Sequence, residues 1–174
     1  DVFNQPIAFS SDRFRKIGER YASSRPAVQA VGEVLADWLV FRDPPTDNQR
    51  LSRAEVLLHE MAHMWFGNLV TMRWWNDLWL NESFATYMAY LSLTEATRFT
   101  TAWQAFNAGM KNWAYRQDQL ITTHPIAGEV PDTEATFLNF DGITYGKGAA
   151  VIKQLVAAMG MEGFREGMRR YFKR

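Results

Sequence analysis

Five consecutive residues, His59-Glu60-Met61-Ala62-His63, constrain the fold of this chain more than any other feature. They lie inside an apolar pattern at helical spacing that runs from about Leu51 to Phe66. On a helix, side chains four positions apart are neighbours on one face, with Cβ atoms about 5–6 Å apart. The two imidazoles therefore reach toward one point, and Glu60 projects beside them. A metal centre built on two histidines needs a third protein ligand and one open position, so a second element has to return past this face. A chance match to the pattern in a chain of this composition is on the order of a few per thousand.

Candidates for the third ligand are few. The chain has three histidines, and the remaining one, His124, precedes Pro125 in a stretch that reads as loop. Glu82 stands nineteen positions after His63, near the start of the next helical pattern, and the Gly67-Asn68 break lets the chain reverse between them. His59, His63 and Glu82 then form a His-His-Glu site for one zinc ion. Zinc lowers the pKa of a bound water toward about 7, and Glu60 is the base placed to take its proton.

Composition narrows the remaining classes. The 174 residues are 47% apolar and 22% charged, which suits one globular domain with its own core. Nineteen basic residues balance nineteen acidic ones, which argues against an electrostatic nucleic-acid binder. The absence of cysteine excludes a disulfide framework, a cysteine-zinc site and thiol catalysis. No apolar run approaches the roughly eighteen residues of a membrane span. Asp1 to Pro6 lack a signal-peptide pattern, so cytoplasm is the expected compartment. The chain starts at Asp1 and stops at Tyr171-Phe172-Lys173-Arg174 within a helical pattern, so it reads as a piece of a longer protein.

The expected secondary structure is mainly helical. Ser10-Ser11-Asp12 reads as a cap before Phe14, Ile17 and Tyr21, and Pro26 opens a helix that Pro44-Pro45 ends. Thr46 to Arg50 reads as a polar connection, and Leu69 to Asn76 as an irregular link. A helix is expected from Asp77, its N-cap, through Leu93. Thr94 to Gln119 reads as one or two helices, with Phe99, Trp103, Phe106, Met110 and Trp113 on one side. Thr122 to Ile143 reads as loop. Helices resume from Thr144 to Met159 and from Met161 onward, divided by Gly160. Four of the seven tryptophans, Trp65, Trp74, Trp75 and Trp79, fall within fifteen residues and are expected in core and cleft wall. Arg73 and the basic tail are expected on solvated faces.

These segments resemble the aminopeptidase N group of zinc metallopeptidases, the gluzincins with a thermolysin-like catalytic fold. The resemblance runs from about Phe41 to the C-terminus. It is carried by His59 to Thr71, by Trp74-Trp75-Asn76-Asp77-Leu78-Trp79-Leu80-Asn81-Glu82, and by Ile143-Thr144-Tyr145-Gly146-Lys147-Gly148-Ala149. It implies that His59, His63 and Glu82 hold zinc, and that Glu60 is the general base and then the proton shuttle to the leaving amine. Tyr145 matches the family's oxyanion donor; a phenol aimed at developing negative charge stabilises the transition state more than the ground state. The implied architecture is the helical core of a zincin catalytic domain, α+β when complete. Residues 1–50 form a divergent upstream segment, 51–150 the zinc-site core and 151–174 the following helices. Asn81 and Asp77 are read as groups that orient the histidines, with helix capping as the alternative for Asp77. His124-Pro125 also matches a family position and reads as structural.

One segment departs from the pattern. The family has a G-A-M-E-N sequence upstream of the zinc helix, whose glutamate holds the substrate's free amine. Here the counterpart is Pro26-Ala27-Val28-Gln29-Ala30-Val31-Gly32-Glu33-Val34. Gln29 lies near the glutamate position and Glu33 is the nearest acid; a neutral amide binds ammonium less well than a carboxylate does. The expected activity is zinc-dependent hydrolysis of the N-terminal peptide bond of a peptide substrate. A zinc hydrolase without amine selection, of endopeptidase or epoxide-opening type, and an inactive scaffold remain the alternatives.

Overall fold

The computed structural model describes Phe41 and residues 43–173. The two helices expected before Pro44, together with Gln29 and Glu33, lie outside the described residues. The described part is helical, with one isolated β-bridge between Phe66 and Val70 and no strand among the described residues. This agrees with the mainly α reading. No helix among the described residues is long and apolar enough to cross a membrane.

Helix α1 spans Asp47–Ala62. It begins four residues earlier than the apolar pattern indicates, because Thr46 and Gln49 form a reciprocal capping box: the Thr46 hydroxyl accepts from Gln49 N, and the Gln49 side chain accepts from Thr46 N. The stretch read as a polar connection is thus the first turn of the helix. The C-terminal end also differs from expectation. His63 is the cap residue, but its backbone stays helical (φ −61°, ψ −17°) and its N–H donates to His59 O at 3.2 Å. The four-residue spacing of the two imidazoles therefore survives the end of the helix.

The chain then turns sharply. Gly67 has φ 142°, a conformation that side chains other than hydrogen rarely adopt, and a Cβ there would lie 3.2 Å from His63 O. Gly67 N donates to Val70 O at 2.7 Å and closes the turn. A short 3-10 turn, Trp75–Asp77, leads into α2, Trp79–Ala96. Asp77 is not the N-cap of α2. Leu78 occupies that position without a side-chain cap, and the Asp77 carboxylate accepts from Trp79 Nε1 at 3.1 Å.

Helix α2 is the centre of the fold. It is buried nearly all round, as expected of a helix whose faces are all covered. It packs against α1 on one side and against α6, Gly148–Tyr171, on another. Phe84, Tyr87, Leu91 and Leu93 join Phe66, Phe106, Ile152 and Phe164 in the core. Burial of side chains of this size stabilises by about 1.5–3 kcal/mol each. Between α2 and α6 the chain forms one helical run: α3 (Ala102–Phe106), a π-helical turn (Asn107–Lys111) and α4 (Asn112–Asp118). Phe99, Trp103, Phe106 and Met110 face the core, as their spacing indicates.

The segment read as loop carries two short elements, α5 (Thr133–Thr136), capped by Asp132, and a 3-10 turn, Phe137–Asn139. A second π-helical turn, Ile143–Lys147, runs directly into α6. Gly160 (φ 78°, ψ 156°) breaks α6 at the position expected to divide two helices. The tryptophans split between roles. Trp65 and Trp79 pack on the core, while Trp74 is half exposed and its indole N–H donates to Val130 O at 2.8 Å.

Candidate metal centre and catalytic cleft

Helices α1 and α2 lie side by side, so His59 and His63 on the first face Glu82 in the first turn of the second. His59 and Glu82 are buried, and His63 is partly so. His59 Nε2 lies 3.0 Å from His63 Nε2 and 3.1 Å from Glu82 Oε2; His63 Nε2 lies 3.3 Å from the same oxygen. Four ligands at about 2.0–2.1 Å around a tetrahedral ion are separated by about 3.3–3.4 Å. The observed triangle has nearly that size, and it is the group of donor residues among the described residues that meets the requirement for one ion.

The outer nitrogens of the rings support the same conclusion. His63 Nδ1–H donates to Phe66 O at 2.9 Å, so Nε2 is the nitrogen turned to the triangle: in the neutral ring its lone pair faces inward, and in the protonated ring it donates to Glu82. His59 Nδ1 meets the hydroxyl of Thr86, one turn beyond Glu82 on α2, at 3.3 Å. Two imidazole nitrogens and a carboxylate converging on one point form a group that could hold one metal ion, and the residue types fit zinc. The groups that orient the rings are therefore Thr86 and the Phe66 carbonyl. Neither Asn81 nor Asp77 does this: Asn81 Nδ2 contacts Met72 Sδ at 2.9 Å, and Asp77 binds Trp79.

Electrostatics follow from the crowding. Burial alone would raise the Glu82 pKa, but hydrogen bonds and charge from both histidines outweigh it and hold the carboxyl at about 2. Burial would lower the pKa of His63; its hydrogen bond to Glu82 and the charge of that group more than reverse the effect and raise it. Glu60 adds to the rise at His63 and to a rise at Tyr145, which places its charge in the same cleft. Glu55, one turn before His59, is raised by burial, with the Glu60 charge adding and His59 opposing.

Tyr145 joins this site from the far end of the chain. It occupies the middle of the second π-helical turn, a local geometry often found at functional positions. Its ring stacks on His59, with centroids 5.6 Å apart and planes 16° apart, and Trp113 and Phe140 flank it at 6.3 and 6.4 Å. Burial raises the phenol's pKa, and the Glu82 charge and a hydrogen bond to that carboxylate raise it further. The phenol therefore remains a proton donor at neutral pH. Two glycines allow the approach: a Cβ on Gly146 would lie 2.6 Å from Met110 O, and one on Gly148 would overlap Ser83 Oγ on α2. Ser83 Oγ in turn donates to Thr144 O at 2.6 Å. His124 is not part of the triangle and pairs with Asp141.

Residues 34–174 match the family model described as the peptidase family M1 domain. The chain belongs to peptidase family M1. Among its M1 relatives, it is 53% identical over 151 residues to the aminopeptidase N of Streptomyces lividans, a match covering 85% of this chain and 18% of that protein. It is 42% identical over 136 residues to the leucyl aminopeptidase of Saccharolobus solfataricus, covering 78% and 17%. A third M1 relative, the probable aminopeptidase 2 of Sulfurisphaera tokodaii, is 45% identical over 184 aligned positions that take in 98% of this chain and 23% of the relative. The chain thus spans about a fifth of the length of the curated M1 relatives it matches.

Proposed function

We propose that this chain carries the zinc-site core of an aminopeptidase that hydrolyses the N-terminal bond of peptides. The observation that carries the reading is the convergence of His59, His63 and Glu82 beneath the ring of Tyr145, in a member of peptidase family M1. His59, His63 and Glu82 would hold the ion. When bound, zinc supplies Lewis-acid activation of water and of the scissile carbonyl. Glu60 takes the proton of the attacking water and passes it to the leaving amine. The Tyr145 phenol donates to the oxygen on which negative charge develops, and its raised pKa keeps that proton available. Thr86 and the Phe66 carbonyl keep the two imidazoles turned inward.

Selection for a free amine is assigned to Glu33 or Gln29, upstream of the described residues. The test compares hydrolysis of leucyl- or alanyl-nitroanilide with that of the N-acetylated compounds by the zinc-loaded chain. Cleavage restricted to the free-amine substrates is the expected result. Equal cleavage of both, or of the blocked compounds alone, would replace the aminopeptidase reading with a zinc hydrolase that lacks amine selection. The absence of any hydrolysis would remove the enzyme reading for this chain.

A further inference from the structure

The start of the turn that carries Tyr145 is tied down by a residue four positions earlier, while Ser83 holds the turn against α2 through Thr144 O. Asp141 O accepts from Tyr145 N at 3.0 Å. Asp141 Oδ1 accepts from both Ile143 N and Thr144 N, each at 3.0 Å, so it caps the first turn of the π-helical segment. The second carboxylate oxygen, Oδ2, lies 3.0 Å from His124 Nε2. The other ring nitrogen of His124 faces Pro125 O at 2.7 Å, so both ends of the imidazole are engaged. An ordinary cap needs one oxygen; here the second is used to anchor the cap itself.

The anchor is firm because the loop bearing His124 is fastened at both ends. Thr123 Oγ1 donates to Asp118 Oδ1 at 2.9 Å, and Val130 is held by Asn76 through its N–H (2.9 Å) and by Trp74 through its carbonyl (2.8 Å). The pair His124–Asp141 is largely shielded, with side chains 24% and 16% exposed. The opposite end of the turn is held by Lys147, which donates to Asp118 at 2.7 Å in a more exposed pair. Exposed pairs of that kind contribute little. The Asp141 end therefore fixes the start of the turn, beside the Gln117 side chain that accepts from Gly142 N, while the Ser83–Thr144 bond seats its middle on α2. A tilt of about 10° at the Tyr145 backbone would move the phenol oxygen by about 1 Å, and a misplacement of that size costs on the order of 100-fold in rate.

We propose that Asp141, anchored by His124, is a positioning residue that aims the Tyr145 phenol at the reacting oxygen. The proposal rests on the reading of Tyr145 as oxyanion donor. It is tested in the zinc-loaded chain with Asp141→Ala, Asp141→Asn, His124→Ala and Tyr145→Phe, singly and combined. Asp141→Ala is expected to lower kcat by about 10- to 100-fold with KM within about threefold. Asp141→Asn, whose amide oxygen still caps the turn, recovers most of that loss. In the Tyr145→Phe background, Asp141→Ala costs less than about threefold, because the group it acts through is gone. The same factor lost in both backgrounds, or an unchanged kcat, overturns the proposal.

Should Asp141→Ala not fold, His124→Ala keeps the backbone cap and is expected to show the same dependence on Tyr145 at smaller amplitude. An equal effect with and without the phenol would sink it. Hydrogen exchange at the amides of Ile143, Thr144 and Tyr145 is read without any substrate. Faster exchange in both variants is expected, and unchanged exchange removes the anchoring role. A parent chain that cleaves nothing defeats the peptidase reading, and the exchange experiment then decides by itself whether Asp141 fixes the turn.

Discussion

Replacing Gly148 by alanine tests how closely the Tyr145 turn is held against α2. A Cβ at this position would overlap Ser83 Oγ and lie 2.8 Å from Ser83 Cβ. Ser83 must swing away, and its 2.6 Å bond to Thr144 O is then lost. A buried hydroxyl left without its acceptor costs about 1–3 kcal/mol, and overpacking of a tight contact costs about 1–3 kcal/mol more. A total near 4 kcal/mol corresponds to a fall in Tm of about 8–16 °C for a chain of this size. The same substitution in a Ser83→Gly background has a different sign. The nearest remaining atom, Ile126 Cγ2, is 3.7 Å away, an ordinary contact, and glycine to alanine in a helix gains about 1 kcal/mol. Urea midpoints of the four chains give both numbers. An equal loss from Gly148→Ala with and without Ser83 would refute the claim that this contact requires glycine.

Three further outcomes are expected. Glu60→Gln retains zinc, measured by metal content after dialysis, and lowers kcat by about 10²–10⁴-fold; a rate near that of the parent would remove Glu60 as the base. Thr86→Val preserves shape but deletes the contact to His59 Nδ1; at 3.3 Å that contact is long, so zinc affinity in a chelator competition should fall by about tenfold, the low end for such groups, and an unchanged affinity would contradict the orienting role. Glu55 has a folded pKa above its unfolded value of 4.5, so the unfolded chain loses that proton first and stability is lost as pH rises above 4.5. Glu55→Gln is therefore expected to raise the Tm of the metal-free chain at pH 7, with the gain vanishing below pH 4.5; a gain of the same size at pH 4 and pH 7 would contradict the assignment.

The site was legible in the sequence where spacing along one element decides geometry. His59 and His63 meet because they are one helical turn apart, and Glu82 meets them because a short connection that reverses at Gly67 joins two packed helices. What lay beyond reach was set by tertiary contact. Thr86 reads as one more small residue in an apolar helix, and the Phe66 carbonyl has no side-chain signature. Asp77 looked like a cap because it precedes an apolar run, yet the indole of Trp79 takes its carboxylate. The π-helical turns at Asn107–Lys111 and Ile143–Lys147 escape a 3.6-residue period because each adds a residue to a turn. One missed feature was present in the residues themselves: Thr46 and Gln49 stand at capping-box spacing.

The order in which the cleft is assembled follows from how far its parts lie apart along the chain. His59 and Glu82 are separated by 23 positions, whereas the Ser83–Thr144 bond that seats the Tyr145 turn spans 61. Closing the longer loop costs about 0.9 kcal/mol more in chain entropy, and contacts of large sequence separation are slow to form. The α1–α2 hairpin, with its His-His-Glu triangle, can form before the C-terminal segment arrives. Under the proposed roles, ion binding would return ahead of turnover during refolding, and a chain caught between the two stages would hold a metal before the Tyr145 phenol is in place.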